Sequence, residues 1–261
     1  MADAPTDPRL ALALRIAEEA GRHALARAGR TVVEWKGPGD RVTEVDRAVQ
    51  ARMLQEIATW FPGDGVVAEE GEHRIHPERE FVWVLDPLDG TNNYALGIPS
   101  YAVAVGVLRS GEPYAGVIHD PNTGFTCSAV RGGGAFAGDR KLALAARLLS
   151  PSSNVSVRVP LDPRFEPVTI AWLRRYKLRA FGSVALHLAY AAIGAIDVVL
   201  DHRAALWDLV AGAAVLLEAG GVVSDPMGGP VFPAAVAGIH APFLAGNPAA
   251  HAEAVAACRR L

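Results

Sequence analysis

The spacing of apolar residues in this chain changes twice, and each change limits what the chain can fold into. Leu10, Leu14 and Ala17 recur at helical spacing after Asp7-Pro8, an N-cap followed by proline at the first helical position, and predict a helix from residue 8 to about Ala28. After the turn Gly37-Pro38-Gly39-Asp40, Thr43 can cap a second helix carrying Val45, Val49, Met53 and Ile57, which Phe61-Pro62-Gly63 stops. The period then falls to that of strands. Val-, Ile- and Tyr-rich runs at 65–68, 81–85, 101–108 and 114–118, separated by Gly, Pro and Asn turns, predict one sheet with RGGGAFAGD as a hairpin corner. Beyond about residue 145, strands at 155–159, 177–180, 197–200 and 222–224 alternate with helices at 164–175, 183–193 and 205–219. The class is therefore α/β (α+β), with an α+β half over 1–145 followed by an α/β half over 146–261. No internal repeat or low-complexity linker separates the halves, so they are expected to share one interface.

With 261 residues, 51% of them hydrophobic and 20% charged, the chain can bury a sizeable core. Its formal charge of −3 comes without a Lys/Arg block, which argues against nucleic acid or an anionic membrane surface and for small-molecule partners. Cys127 and Cys258 make neither a ligand cluster nor a disulfide framework, as fits a reducing compartment. The N-terminal segment lacks the basic start of a signal peptide, and Arg15, Glu18 and Glu19 break its apolar part. No apolar run approaches the roughly 18 residues of a membrane span. A cytoplasmic protein is expected.

The chemistry concentrates where strands end. In WVLDPLDGTNNY (83–94) an apolar run closes on Asp86 and Asp89. Asp-Pro and Asp-Gly are turn formers, so the two acids could simply end a strand. Pro87 can also fix the backbone so that both carboxylates and the Leu88 carbonyl converge on one point, as a hard cation requires. Upstream, VVAEEG (66–71) again ends a strand in two acids, Glu69 and Glu70, and two acidic pairs at consecutive strand ends repel unless a cation or solvent separates them. A third acid, Asp208, opens the apolar helix ALWDLVAGAAVLLEAGG (205–221), where the helix dipole would favour it in any case. Glu218 precedes Gly220-Gly221 as an ordinary helix end.

Three segments carry a resemblance. DPLDGTNN matches DPxDGTxN, AEEG matches a GEE-type segment, and WDLVAGAAVLLEAGG matches WDxAAGxxLxxEAGG, in order and at fitting distances. Together they resemble the inositol monophosphatase family of Mg²⁺-dependent phosphatases, over nearly the whole chain and most weakly over about 145–175. The resemblance implies a layered α-β-α-β-α sandwich of the inositol monophosphatase/fructose-1,6-bisphosphatase type, a homodimer, and two to three Mg²⁺ ions per site. It assigns Glu69, Asp86 and the Leu88 carbonyl to a first metal, Asp86, Asp89 and Asp208 to a second, and Glu69 with water to a third, weaker one. Glu70 is the reserve for Glu69. VTEVD (42–46) matches VTxxD, which pairs Asp46 with Thr91 to orient the attacking water; on its own, Asp46 reads equally as part of a helix cap.

For the substrate, the resemblance implies phosphate contacts at Gly90 and Thr91, at the start of a short helix over 91–96, and contacts to ring hydroxyls at Gly182 and Ser183. Gly90 also suits a plain turn. Asp201, seven residues before Asp208, stands where many members carry a hydroxyl-binding glutamate, and the shorter acid bears on selectivity. Arg203 could grip a second phosphate or be a surface arginine; Lys36 could lie near the third ion or be a solvated loop lysine. His187 reads as a core histidine, and the triple glycine 132–134 as a tight hairpin. The expected activity is hydrolysis of inositol 1-phosphate or a similar polyol or sugar phosphate. Fructose 1,6-bisphosphatase, histidinol phosphatase, nucleotide 3′-phosphatase and a non-enzymatic partner-binding role are the rivals.

Overall fold

The computed structural model describes residues 7–37, 40–71, 74–234 and 240–260, without the side chains of Lys36, Asp40 and His240. The expectations for Lys36 and for Pro38-Gly39 therefore lie outside the described residues. Helix α1 (Pro8–Arg27) begins as its sequence predicts: the Asp7 carboxylate accepts from the backbone of Arg9 and Leu10, and Leu12, Ile16, Ala20 and Ala24 share the buried face. A ribbon that periodicity did not reveal follows, β1 (Val33–Gly37) antiparallel to β2 (Asp40–Thr43). Thr43 then caps α2 (Glu44–Trp60), which buries Val45, Val49, Met53 and Ile57.

The first sheet contains β3 (Gly65–Ala68), β4 (Arg74–Ile75), β5 (Phe81–Asp89), β6 (Ala102–Arg109), β7 (Glu112–Asp120), β8 (Phe125–Val130), β9 (Gly134–Ala137) and β10 (Arg140–Lys141). Their order is β10-β9-β8-β7-β6-β5-β3-β4, antiparallel throughout except that β3 runs parallel to β5. A short helix, α3 (Thr91–Ala95), links β5 to β6. The triple glycine makes the β8–β9 turn as read, and Glu218 does more than end a helix: its carboxylate accepts from Gly132 N and Gly134 N, each at 3.0 Å.

The second sheet is formed by β11 (Asn154–Val157), β12 (Lys177–Arg179), β13 (Val198–Ala205), β14 (Val222–Ser224) and β15 (His240–Gly246), in the order β12-β11-β13-β15-β14. Helices α4 (Glu166–Leu173), α5 (Val184–Ala192), α6 (Leu206–Glu218) and α7 (Pro248–Cys258) alternate with its strands.

Three hydrophobic clusters define the layers. One joins α1 and α2 to the outer face of the first sheet, one encloses α5 and α6 between the sheets, and one packs α4 and α7 on the far face of the second. This is the α-β-α-β-α sandwich. Helix α6 can lie against the first sheet because glycines face it: a Cβ on Gly116 would stand 2.3 Å from the Ala211 carbonyl oxygen. No described helix is long and apolar enough to cross a membrane.

Candidate active site

The parallel pairing of β3 with β5 brings two strand ends side by side. Ala68 lies opposite Leu85, and Glu69 N donates to Leu85 O at 3.2 Å, so Glu69, just past the end of β3, comes beside Asp86 of β5. In a regular strand Asp86 and Asp89, three apart, would face opposite sides. The register against β6 shifts here, with Asp86 opposite Ala104 and Asp89 opposite Ala102, so β5 spends one extra residue around Pro87 and both acids reach the same face. Leu88 N donates to Asp86 Oδ1 at 3.0 Å and fixes the bend.

Asp208 arrives from the other half of the molecule, in the first turn of α6, where Ala205 N donates to its Oδ2 at 3.0 Å. Carboxylate oxygens of Asp86, Asp89 and Asp208 lie within 4.8 Å of one another, and all three side chains are buried. At an effective dielectric of about 20, each such pair repels by about 3 kcal/mol or more. Arg158 Nη1, at 3.3 Å from Asp208 Oδ2, returns about 5 kcal/mol on the same scale to that acid, and it acts on Asp89 without touching it. The cluster is left short of positive charge. Burial first, then Glu69, Asp89 and Asp208, push Asp86 well above the usual carboxylate range. Burial raises Asp89 to about 6 against the pull of Ser183 and Ala185, and burial with Asp89 raises Asp208 to about 8.

Asp46 serves as a cap and as a partner at once. Its Oδ2 takes Thr43 N at 2.8 Å and Thr43 Oγ1 at 2.5 Å, while Oδ1 lies 3.1 Å from Thr91 Oγ1. Thr91 Oγ1 is also 2.9 Å from Leu88 O. Burial raises the Asp46 carboxyl despite these donors. Gly90 turns the chain into α3 with φ +95°, and a Cβ there would stand 3.0 Å from Ser100 O, so the backbone by itself requires glycine.

Of the adjacent acids, Glu69 lines the cleft, whereas Glu70 borders a separate hollow with Arg47 and Gln50. Gln50 makes that choice: its amide pairs with Glu70 N at 2.8 Å and Glu70 O at 2.6 Å and holds the backbone in one orientation. The sequence reading passed over Gln50, a lone polar residue on a helix.

The cleft holds about 220 Å³, and its opposite wall is formed by Val157, Arg158, Val159, Ala180, Gly182 and Val184. Gly182 lies on this wall. Ser183 does not line it: its hydroxyl caps α5 and donates to Asp89 Oδ2 at 2.5 Å, so it holds a cluster member instead of facing a ligand. Asp201 is buried behind the wall, and Arg203 is exposed outside it. The guanidinium in the cleft belongs to Arg158, which the sequence reading missed because it follows a weakly patterned strand with no motif around it. His187 is the satisfied core residue expected, accepting from Phe181 N at 2.9 Å and lowered to about 4 by burial.

The donor set suits Mg²⁺. It consists of hard oxygens alone, buried, mutually repelling and underneutralised, which a small divalent cation would relieve.

A model of the inositol monophosphatase family matches residues 6–260. The chain is 36% identical over 203 residues to an inositol-1-monophosphatase of Mesorhizobium japonicum, covering 76% of each chain. It is also 34% identical over 196 residues to the Nus factor SuhB of Xylella fastidiosa, covering 71% of this chain and 69% of that one. The crystal structure of the extragenic suppressor protein suhB from Bartonella henselae superposes with a TM-score of 0.89 at 30% identity, over 97% of this chain and 99% of that one.

Proposed function

Because this chain belongs to the inositol monophosphatase family, we propose that it is a Mg²⁺-dependent phosphomonoesterase acting on inositol 1-phosphate or a similar polyol or sugar phosphate. The observation that carries the reading is the meeting of Asp86, Asp89 and Asp208 in a cleft that Glu69 and Thr91 also line. Glu69, Asp86, the Leu88 carbonyl, Asp89 and Asp208 would hold two to three Mg²⁺ ions, which when bound activate water and neutralise charge on the phosphoryl and leaving oxygens.

The chain's own residues orient that water. Thr91 has one hydroxyl proton and two acceptors in reach, Asp46 Oδ1 and Leu88 O. Donating to Asp46 leaves the Thr91 oxygen free to accept a hydrogen bond from a water in the cleft. Asp46 cannot swing away, because Thr43 holds its other oxygen. Its raised pKa makes it the better proton acceptor near neutral pH. Ser183 and Ala185 N hold Asp89 in place from the second sheet's side of the cleft. Homodimerisation and a cytoplasmic site of action complete the proposal.

The relative named as a Nus factor favours a second reading, an accessory protein that binds a partner. A full acidic cluster with the Asp46–Thr91 pair beside it is superfluous to such a role. Phosphate release from inositol 1-phosphate, fructose 1,6-bisphosphate, histidinol phosphate and 3′-phosphoadenosine 5′-phosphate, each with Mg²⁺ and with EDTA, decides between them. Mg²⁺-dependent turnover of any ester supports the phosphatase, and no turnover of all four leaves the accessory role.

A further inference from the structure

Arg158 is the one basic residue among those described that line the cleft. Its backbone is fixed by the sheet, since Arg158 N donates to Leu200 O at 3.1 Å just past β11. Its side chain is held by one nitrogen only. Nη1 lies 3.4 and 3.2 Å from the two oxygens of Asp201 and 3.3 Å from Asp208 Oδ2. Two of those three contacts go to Asp201, which is 1% exposed and also accepts from Arg203 N, so the anchor survives if Asp208 is engaged by a cation. Nε and Nη2 find no acceptor among the described residues, and the side chain remains 29% exposed. A guanidinium presents Nε–H and Nη2–H as a parallel pair of donors, the edge that matches two oxygens of a phosphate.

The location of that edge determines what it can bind. With the reacting phosphate against the acidic cluster and Thr91, the leaving alcohol must lie along the opposite wall. That wall is otherwise Val157, Val159, Ala180, Gly182 and Val184, which offer no charge. Asp201, buried and paired with Arg158, is not available there as a free carboxylate for hydroxyls. Resting on the phosphatase reading above, we propose that Arg158 selects esters whose leaving alcohol carries a second phosphate, gripped bidentately by Nε and Nη2. This replaces Arg203 in that role.

The test uses a matched pair differing only in the second phosphate, fructose 1-phosphate and fructose 1,6-bisphosphate, with the Mg²⁺-loaded protein. The wild type is expected to favour the bisphosphate in kcat/KM by about 10- to 100-fold, the range for a charged bidentate contact. Arg158→Gln should bring the ratio near unity, chiefly through KM for the bisphosphate. Arg158→Lys keeps a cation on buried Asp201 and should fold normally, yet it lacks the fork and should also lose most of the ratio. An unchanged ratio in both variants overturns the proposal, even if both activities fall together, since that result would make Arg158 a positioning residue for Asp208. Calorimetric binding of the corresponding phosphonate analogues supplies a readout without turnover. If neither fructose ester is hydrolysed while inositol 1-phosphate is, the role of Arg158 is overturned and the phosphatase reading stands; a bisphosphonate that binds the wild type no tighter than the monophosphonate also overturns the role of Arg158.

Discussion

Replacing Asp208 with asparagine should stabilise the metal-free protein while disabling it. Burial and Asp89 hold the Asp208 carboxyl at about 8, whereas in an unfolded chain it titrates near 4. The folded state therefore keeps a proton that the unfolded state releases. This contribution to stability is whole below about pH 4 and is lost progressively as the pH rises to about 8. At about 1.4 kcal/mol for each pH unit, the loss reaches about 5 kcal/mol at pH 7.5. The asparagine side chain has no charge to lose. Its amide oxygen can take the place of Oδ2 and still accept from Ala205 N and Arg158, and the weaker bond of a neutral oxygen to the guanidinium costs about 1–2 kcal/mol. The net gain is about 3 kcal/mol, or roughly 6–12 °C in Tm for a chain of this size. Calorimetric melting in EDTA at pH 7.5 and pH 5 reads it directly, with the gain nearly gone at pH 5, where the wild type has lost little. Added Mg²⁺ should stabilise the wild type, with both cation sites, more than the variant, which keeps only the site of Glu69 and Asp86. A variant that melts at or below the wild type in EDTA at pH 7.5, or that gains equally at both pH values, would refute the reasoning.

Other substitutions separate neighbouring roles. Glu69→Gln should lower kcat/KM by about 100-fold and weaken Mg²⁺ binding by calorimetry, whereas Glu70→Gln, on the far side of the Gln50 clamp, should change both by less than about threefold. Thr91→Val should cut kcat by about 10²- to 10⁴-fold with KM little changed, and Thr91→Ser should recover most of it; equal losses in both variants would remove the hydroxyl from the chemistry. Gly116→Ala drives a Cβ into the Ala211 carbonyl and should cost about 1–3 kcal/mol in urea unfolding, and a neutral result would mean that α6 can shift freely.

Much of this architecture was legible because local chemistry and tertiary packing agree. The Asp7-Pro8 start, the Thr43 cap and the alternation of strand and helix after residue 150 each follow from a few residues, and each stands where it was expected. Helix α7 and strand β15 were missed for a physical reason: PAAHAEAVAAC is alanine-rich with little contrast between faces, and HAPFLAG carries a proline. In the cleft, Asp86, Asp89 and Asp208 were identifiable because buried acids at strand and helix ends are costly without a purpose. Ser183 and Asp201 were assigned to ligand contacts that the geometry gives to Asp89 and Arg158, since a motif fixes a residue's position in the chain but not the direction of its side chain. Arg158 and Gln50 left no trace in spacing, because their partners lie 43 and 20 residues away.

The central claim is that the buried acids form a cation site, and crystals soaked in Mn²⁺ test it through anomalous scattering. The account predicts two strong peaks within about 2.5 Å of carboxylate oxygens, one shared by Asp86, Asp89 and Asp208 and one by Asp86 and Glu69. Density free of anomalous signal at these acids, with Mn²⁺ bound elsewhere or nowhere, would contradict it.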